Sequence, residues 1–370
     1  MTELSKLRAD LALVDRDVVR LMGKRQRLVR AIGELKNREA SALRDFAQEK
    51  RVLDRARTIA LREGVGPDLA ERVLSILIES SLTTQEQQRV TARSRGAGQR
   101  ALVIGGAGRM GGWLVQFLLS QGFRVEVADP AASQGPVLSD WRESPLDHDL
   151  VIVATPLRVS ARILGQLARR RPAGVVFDVG SLKTPLFRGL QRLVRAGVRT
   201  TSIHPLFGPD TRLLAGRHVI VVDLGVPEAN DAAQALFAPT MAEVVTMDLA
   251  SHDRLMAYVL GMSHALNIAF FTALQSSGFT AAELARLSST TFDRQLAVAA
   301  PVARENPLLY FEIQKLNRFG EAALDGLADA VDRIRKAVRK GDEATFISLM
   351  ERGRGWLAGR PAVDRRNRSA

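Results

Sequence analysis

Between residues 101 and 247 five short apolar, β-branched runs, ALVIG, RVEVAD, DLVIVAT, GVVFDVGS and HVIVVDL, are separated by helical patterns. Runs spaced by helices cannot pair as hairpins, so the alternation predicts a parallel sheet with helices on both faces. The first run passes straight into GGAGRMGG, which gives Gly106, Gly108 and Gly111 the spacing G-x-G-x-x-G at the head of a helix. The apolar face of that helix includes Met110, Leu114 and Leu118. Glycines there let backbone amides approach a pyrophosphate, and the helix N-terminus adds favourable partial charge. The second strand ends in Asp129, eighteen residues beyond Gly111. A carboxylate at that place accepts hydrogen bonds from ribose hydroxyls and repels a 2′-phosphate, so NAD is the expected cofactor. Arg109 and Arg124 lie near enough to soften the exclusion of NADP.

The first 92 residues obey a different period. Leu4, Leu7, Leu11, Val14, Val18, Leu21, Leu28 and Ile32 recur at helical steps and predict one long helix. Two more are expected, from about Asp45 to Arg62 and from Asp68 to about Gln88, parted by Gly64, Gly66 and Pro67. Arg25 and Lys36 occupy places where the stripe calls for apolar side chains, and buried charge is costly without a partner. Asp45 and Glu49 share one face of the second helix, and Ser81 and Gln85 one face of the third. Such charges meet either one another, as an internal ion-pair network, or an anionic ligand.

This constellation resembles the all-helical chorismate mutase family, whose site residues fall on Arg8, Arg25, Lys36, Asp45, Glu49, Ser81 and Gln85. The resemblance implies that Arg8 and Arg25 hold carboxylates, Lys36 and Gln85 donate to an ether oxygen, Asp45 and Glu49 sit near a ring hydroxyl, and Ser81 lies near a carboxylate. One position departs: the family often has Arg directly before the glutamate, and this chain has Gln48. Arg8 and Arg25 are seventeen residues apart, about 25 Å along a straight helix, while the ligand is under about 10 Å. Arg8 is therefore expected to serve a site completed by another protomer, in a homodimer.

From about residue 100 to 350 the chain resembles prephenate dehydrogenases fused to a mutase, on VIGGAGRMGG, DLVIVATPL, FDVGSLKTP, SIHPLFGPD and ASHDRLMAYVLGMSHA, in family order. The implied catalytic histidine is His204, accepting a hydrogen bond from a ring hydroxyl. Lys183 matches a lysine near cofactor and substrate, and His264 a second pocket histidine. Cofactor contacts are implied at Gly106, Gly108, Arg109, Met110, Gly111, Asp129 and Thr155. His148, His218 and His252 are set aside as structural. The family's carboxylate-binding arginine falls on Pro301, with Arg294 and Arg304 as nearby substitutes. Its loss admits an alternative pair of substrates, 4-amino-4-deoxychorismate and 4-amino-4-deoxyprephenate, or a dehydrogenase half reduced to an NAD-binding module.

The expected architecture is multidomain: an all-α mutase domain over 1–92, a linker over 93–100, an α/β Rossmann domain over 101–247, and an all-α substrate and dimerisation domain over 248–360. The implied enzyme turns chorismate into prephenate and then decarboxylates prephenate oxidatively with NAD. The chain has no cysteine, so disulfides and thiolate chemistry are excluded, and no metal site is expected from five scattered histidines. Its charge of +13 comes from arginines spread through every segment, without a basic run interleaved with aromatics. That pattern argues against nucleic acid and suits small dianionic substrates drawn in by a positive field. No signal peptide is evident, no apolar run is expected to reach the about 18 residues of a membrane span, and a cytoplasmic location is expected. The tail PAVDRRNRSA is expected to fray.

Overall fold

The structure, a computed structural model, describes residues 2–39, 41–132, 135 and 137–359. The tail at 361–370 lies outside the described residues. The chain divides into two compact units: residues 1–150 with 206–219 and 231–245, and the remainder.

In the first unit, α1 (Glu3–Arg38) starts at Thr2, whose side chain caps Ser5 N. Its apolar stripe is largely uncovered within one chain: Leu4, Leu7, Leu11, Val14 and Val18 are all exposed, while Val29 and Gly33 are buried. The second helix, α2 (Phe46–Arg62), begins one residue later than expected because the Asp45 carboxylate is its N-cap, accepting from Gln48 N at 2.9 Å. The third, α3 (Pro67–Ala92), has proline at its start, where a missing amide proton costs nothing, and runs four residues past the expected end. Leu53, Ile78 and Leu82 form the core between α2 and α3, and Leu213 and Met241 pack against it.

The alternating segment forms β1 (Arg100–Ile104), α4 (Arg109–Ser120), β2 (Arg124–Ala128), β3 (Val137–Leu138), β4 (Leu150–Val153), α5 (Leu157–Arg170), β5 (Val175–Asp178) and α6 (Phe187–Arg195). The strand order is β3-β2-β1-β4-β5. The first pair is parallel, with Ala101 opposite Val125 and Ile104 opposite Ala128. A second, three-stranded sheet of order β6-β7-β8 contains β6 (Ser202–Pro205), β7 (His218–Asp223) and β8 (Glu243–Asp248), with α7 (Pro227–Phe237) between the last two. The run HVIVVDL therefore belongs to this sheet and not to the five-stranded one, since a period of two looks the same in either. The strands β3 and β8 were not expected: the first is two residues long, and EVVTMD, half of it β-branched, was not read as a separate run although it is as β-branched as those that were.

The rest is helical: α8 (Leu249–Met256), a π-turn at Ala257–Met262, α9 (Ser263–Gln275), α10 (Ala281–Arg286), α11 (Thr290–Arg304), α12 (Pro307–Leu316), α13 (Gly320–Lys340) and α14 (Glu343–Ala358). The continuous stretch Leu249–Gln275 is long and apolar enough to cross a membrane, contrary to expectation. It also carries His252 and Asp253 in full burial, and Asn267 buried in its last turns. Those polar groups are met by protein partners.

Candidate active sites

The turn after β1 is built for close backbone approach. A Cβ at Gly111 would stand 2.0 Å from the Gly105 carbonyl oxygen, and one at Gly106 would stand 2.7 Å from Val127 Cγ1. Glycine is therefore required at both by packing of the loop on α4 and β2. Asp129 accepts from Ala107 N at 3.2 Å and from Ala131 N at 2.9 Å, so the carboxylate holds the glycine turn as well as closing β2. Arg109 and Met110 open α4, and Arg109 pairs with Asp210 at 3.0 Å. Thr155, just past β4, has its hydroxyl 2.8 Å from Ser160 Oγ.

The helical constellation is brought together only in part. Arg25 Nη1 donates to Leu77 O at 2.6 Å and to Ser81 Oγ at 2.5 Å, so the cation and the serine meet between α1 and α3. Burial lowers the pKa of this guanidinium by disfavouring its charge, a penalty that an incoming carboxylate would offset. Lys36 Nζ donates to Leu43 O at 2.7 Å, and Gln85 is buried against Gly33. Glu49 is gripped at 2.9 and 3.1 Å by Arg44, a residue the sequence did not single out. That bidentate fork supplies a guanidinium despite Gln48. Asp45 is exposed, and its carboxylate serves as a helix cap. Arg8 is exposed on the first turns of α1.

The second constellation sits where β5, β6 and α8 converge. His204, on β6, is buried, and its Nδ1 lies 2.9 Å from Nε2 of His252. His252 Nδ1 lies in turn 2.7 Å from Asp253 Oδ1. The same carboxylate accepts from Lys183 N at 2.9 Å and from the Thr184 amide and hydroxyl, each at 2.5 Å. His252, set aside on sequence as structural, is the hydrogen-bond partner of His204, and its place beside an acid in the helix is the signal that could have pointed to it. Lys183 is shut away from solvent, its ammonium donating to Asp178 Oδ1 and Ile203 O, both at 2.8 Å. Asp178 also accepts from Ser202 Oγ at 2.5 Å. Burial, then the charges of His252 and Lys183, hold the His204 pKa well below the usual imidazole value. His252 is also lowered, burial outweighing the pull of Asp253.

His264 stacks on Tyr310 with ring centroids 4.2 Å apart, and its buried Nδ1 has no hydrogen-bond partner among the described residues. Burial lowers its pKa. Pro301 lies inside α11, and Arg294 and Arg304 on the same helix are exposed. Of the other histidines set aside on sequence, His148 meets Glu126 at 2.8 Å, and His218 meets Glu243 at 3.1 Å.

Residues 7–86 match the family model of type II chorismate mutase, residues 134–246 that of the prephenate dehydrogenase nucleotide-binding domain, and residues 248–352 that of the prephenate dehydrogenase dimerization domain. A T-protein of Enterobacter agglomerans is 25% identical over 361 residues, covering 96% of this chain and 94% of that protein. A 4-amino-4-deoxyprephenate dehydrogenase of Streptomyces pristinaespiralis is 31% identical over 271 residues, 70% of this chain and 91% of that protein. Among solved structures, the prephenate dehydrogenase of A. aeolicus in complex with hydroxyphenyl propionate and NAD+ is similar with a TM-score of 0.57 and 18% identity, over 70% of this chain and 98% of that one.

Proposed function

The chain belongs to the T-protein family, a chorismate mutase fused ahead of a prephenate dehydrogenase, and we propose how its residues divide the work. It is a bifunctional enzyme of tyrosine biosynthesis that rearranges chorismate to prephenate and converts prephenate to 4-hydroxyphenylpyruvate, with NAD as cofactor.

The rearrangement needs no nucleophile, only a compact conformer and stabilisation of charge growing on the breaking ether oxygen. Arg25, which already donates to Ser81, turns its guanidinium to a substrate carboxylate, while Lys36 and Gln85 donate to the ether oxygen. Glu49, fixed by Arg44, faces the ring hydroxyl. Arg8, on the uncovered part of α1, completes the site of a second protomer in a homodimer. Asp45 remains a cap in this assignment.

The glycine turn fits NAD: Gly106 and Gly111 leave no room for a Cβ, and the start of α4 aims its amides outward. Gly106, Gly108, Arg109, Met110 and Gly111 would hold the pyrophosphate and Asp129 the ribose, with Thr155 as a further cofactor contact. The cofactor supplies the acceptor for the hydride that leaves the ring carbon. His204 accepts the hydrogen bond of the ring hydroxyl, which makes that departure easier. Lys183 acts from behind, bracing β6, and His264 lines the pocket. The observation that carries this assignment is a buried histidine held neutral at the end of a strand of an α/β fold. We place the protein in the cytoplasm, the compartment of its substrates.

Steady-state assay of the purified chain, following chorismate loss and NADH formation from prephenate, tests the assignment. His204→Ala should abolish the second signal and leave the first; equal NADH formation by this variant would refute it. A second substrate pair is favoured by Pro301, which stands where prephenate dehydrogenases carry an arginine, and by the Streptomyces relative. In that case the 4-amino compounds would turn over with the larger kcat/KM.

A further inference from the structure

The order of hydrogen bonds behind His204 fixes which of its nitrogens is free. Asp253 is an acceptor: it takes the Lys183 amide, the Thr184 amide and the Thr184 hydroxyl, and these donors keep its pKa below the usual carboxylate value despite burial. A carboxylate so placed can face His252 Nδ1 only if that nitrogen carries a hydrogen. With its ring neutral, His252 then has a bare Nε2, and the 2.9 Å contact with His204 Nδ1 requires the hydrogen on the latter. With both rings neutral, the one arrangement that satisfies the two contacts leaves Nε2 of His204 bare.

We propose that His252, oriented by Asp253, is a positioning residue of the dehydrogenase: it holds His204 in the tautomer whose Nε2 accepts the substrate hydroxyl, and shares the positive charge when that proton arrives. The proposal rests on the role assigned to His204 above and extends it inward by two residues. Supporting contacts make the array stiff. Asn317 Nδ2 donates to the Asp253 carbonyl at 2.8 Å, and His252 and Asp253 are both fully buried. The charged groups facing the pair are Asp253 from its own helix and Lys183 and Asp178 from the end of β5 and the segment after it. Lys183 opposes an imidazolium at either ring, whereas Asp253 and Asp178 favour one at His252 alone, so the charge is better tolerated one ring further in.

The proton balance is simple. As hydride leaves the ring carbon, the hydroxyl O–H bond breaks and an N–H bond forms at His204 Nε2; the Nδ1 hydrogen of His204 can move to His252 Nε2 at the same time. When the carbon–carbon bond to the departing carbon dioxide breaks, its electron pair completes the aromatic ring. The proton then returns along the same bonds to the phenol oxygen, and the two histidines end as they began.

The test uses the full chain carrying His252→Ala and, separately, His252→Gln, whose amide oxygen can accept the His204 Nδ1 hydrogen. Expected for His252→Ala are a fall of about 10- to 100-fold in dehydrogenase kcat and a KM for prephenate within about threefold. Mutase activity should be kept, which shows that the chain folds. His252→Gln should regain much of the lost kcat. Nitrogen-15 spectra of histidine-labelled enzyme, assigned by the His204 and His252 variants, should show His204 with a protonated Nδ1 and a bare Nε2. Overturning results are a kcat within twofold of the parent for His252→Ala, or the opposite tautomer at His204. An inert His252→Ala that His252→Gln does not improve would equally reject the proposal. If His204→Ala itself keeps full activity, the failure lies in the assignment of His204 and not in this extension.

Discussion

The Lys183 ammonium lies 2.8 Å from the Asp178 carboxylate, and neither side chain is exposed. The same ammonium donates to Ile203 O, one residue before His204, so the pair ties the end of β5 to β6 beneath the histidine. Within the chain this lysine, whose sequence context suggests contact with ligands, bridges the two strands. It also carries a charge that helps hold His204 neutral.

Removing that charge should be visible in pH profiles. His204 works as an acceptor only when neutral, so dehydrogenase activity should fall as pH drops through its depressed pKa and be level above it. Lys183→Met removes a cation that lowers this pKa, and the acid limb should move to higher pH. The variant also leaves Asp178 buried without its partner, a change that costs about 3–5 kcal/mol in comparable sites. Thermal melts beside the pH profiles check both. An unmoved limb would remove Lys183 from the electrostatics of His204.

Gly111→Ala places a methyl 2.0 Å from the Gly105 carbonyl oxygen, which must move for α4 to stay packed. The KM for NAD should rise by about tenfold or more while mutase rates hold, if the turn holds the nucleotide as proposed. Asp129→Ala should shift preference toward NADP, though with some loss of affinity for both cofactors, since Asp129 also accepts from Ala107 N. Initial rates with the two cofactors decide; an unchanged preference would take Asp129 away from the ribose.

The sequence made the glycine turn, the parallel sheet and the three N-terminal helices legible, because each rests on local period and turn chemistry. It did not reveal Arg44 as the partner of Glu49, since a fork five residues upstream across a helix start has no periodic signature. Nor did it separate His252 from His148: both are buried histidines near acids, and only the fold puts one of them against His204. At Asp45 it did not show the cap, because an N-cap and a ligand-facing acid are the same residue type at the same place.

Exposure of Leu4, Leu7 and Leu11 together with Arg8 on one uncovered helix leads to a complementation experiment. If each mutase site takes Arg25 from one protomer and Arg8 from the other, Arg8→Ala and Arg25→Ala should each be nearly inactive alone. Equal amounts unfolded and refolded together should recover about a quarter of the sites, since half of the dimers are mixed and each mixed dimer has one intact site. Mutase assay before and after mixing reads this directly, and no recovery would mean that each chain builds its own site.

Glu86 follows Gln85 on α3 and is buried, with one carboxylate oxygen accepting from Leu214 N at 2.8 Å and the other from Met241 N at 2.5 Å. It therefore fastens a helix of the mutase to two loops of the sequence that follows β6 and α7. Burial raises its pKa although both amides act to lower it. For an acid raised on folding, the folded state binds more protons than the unfolded between the two pKa values, so stability from this group is present at low pH and declines as pH rises through the folded value. Glu86→Gln removes that decline but turns an NH2 toward one of the two amide donors, a mismatch that costs about 1–3 kcal/mol in a buried place. The variant should melt earlier than the parent at acid pH, and the difference should narrow as the pH rises. A melt that follows the parent at every pH would show that the two amides are satisfied without this carboxylate.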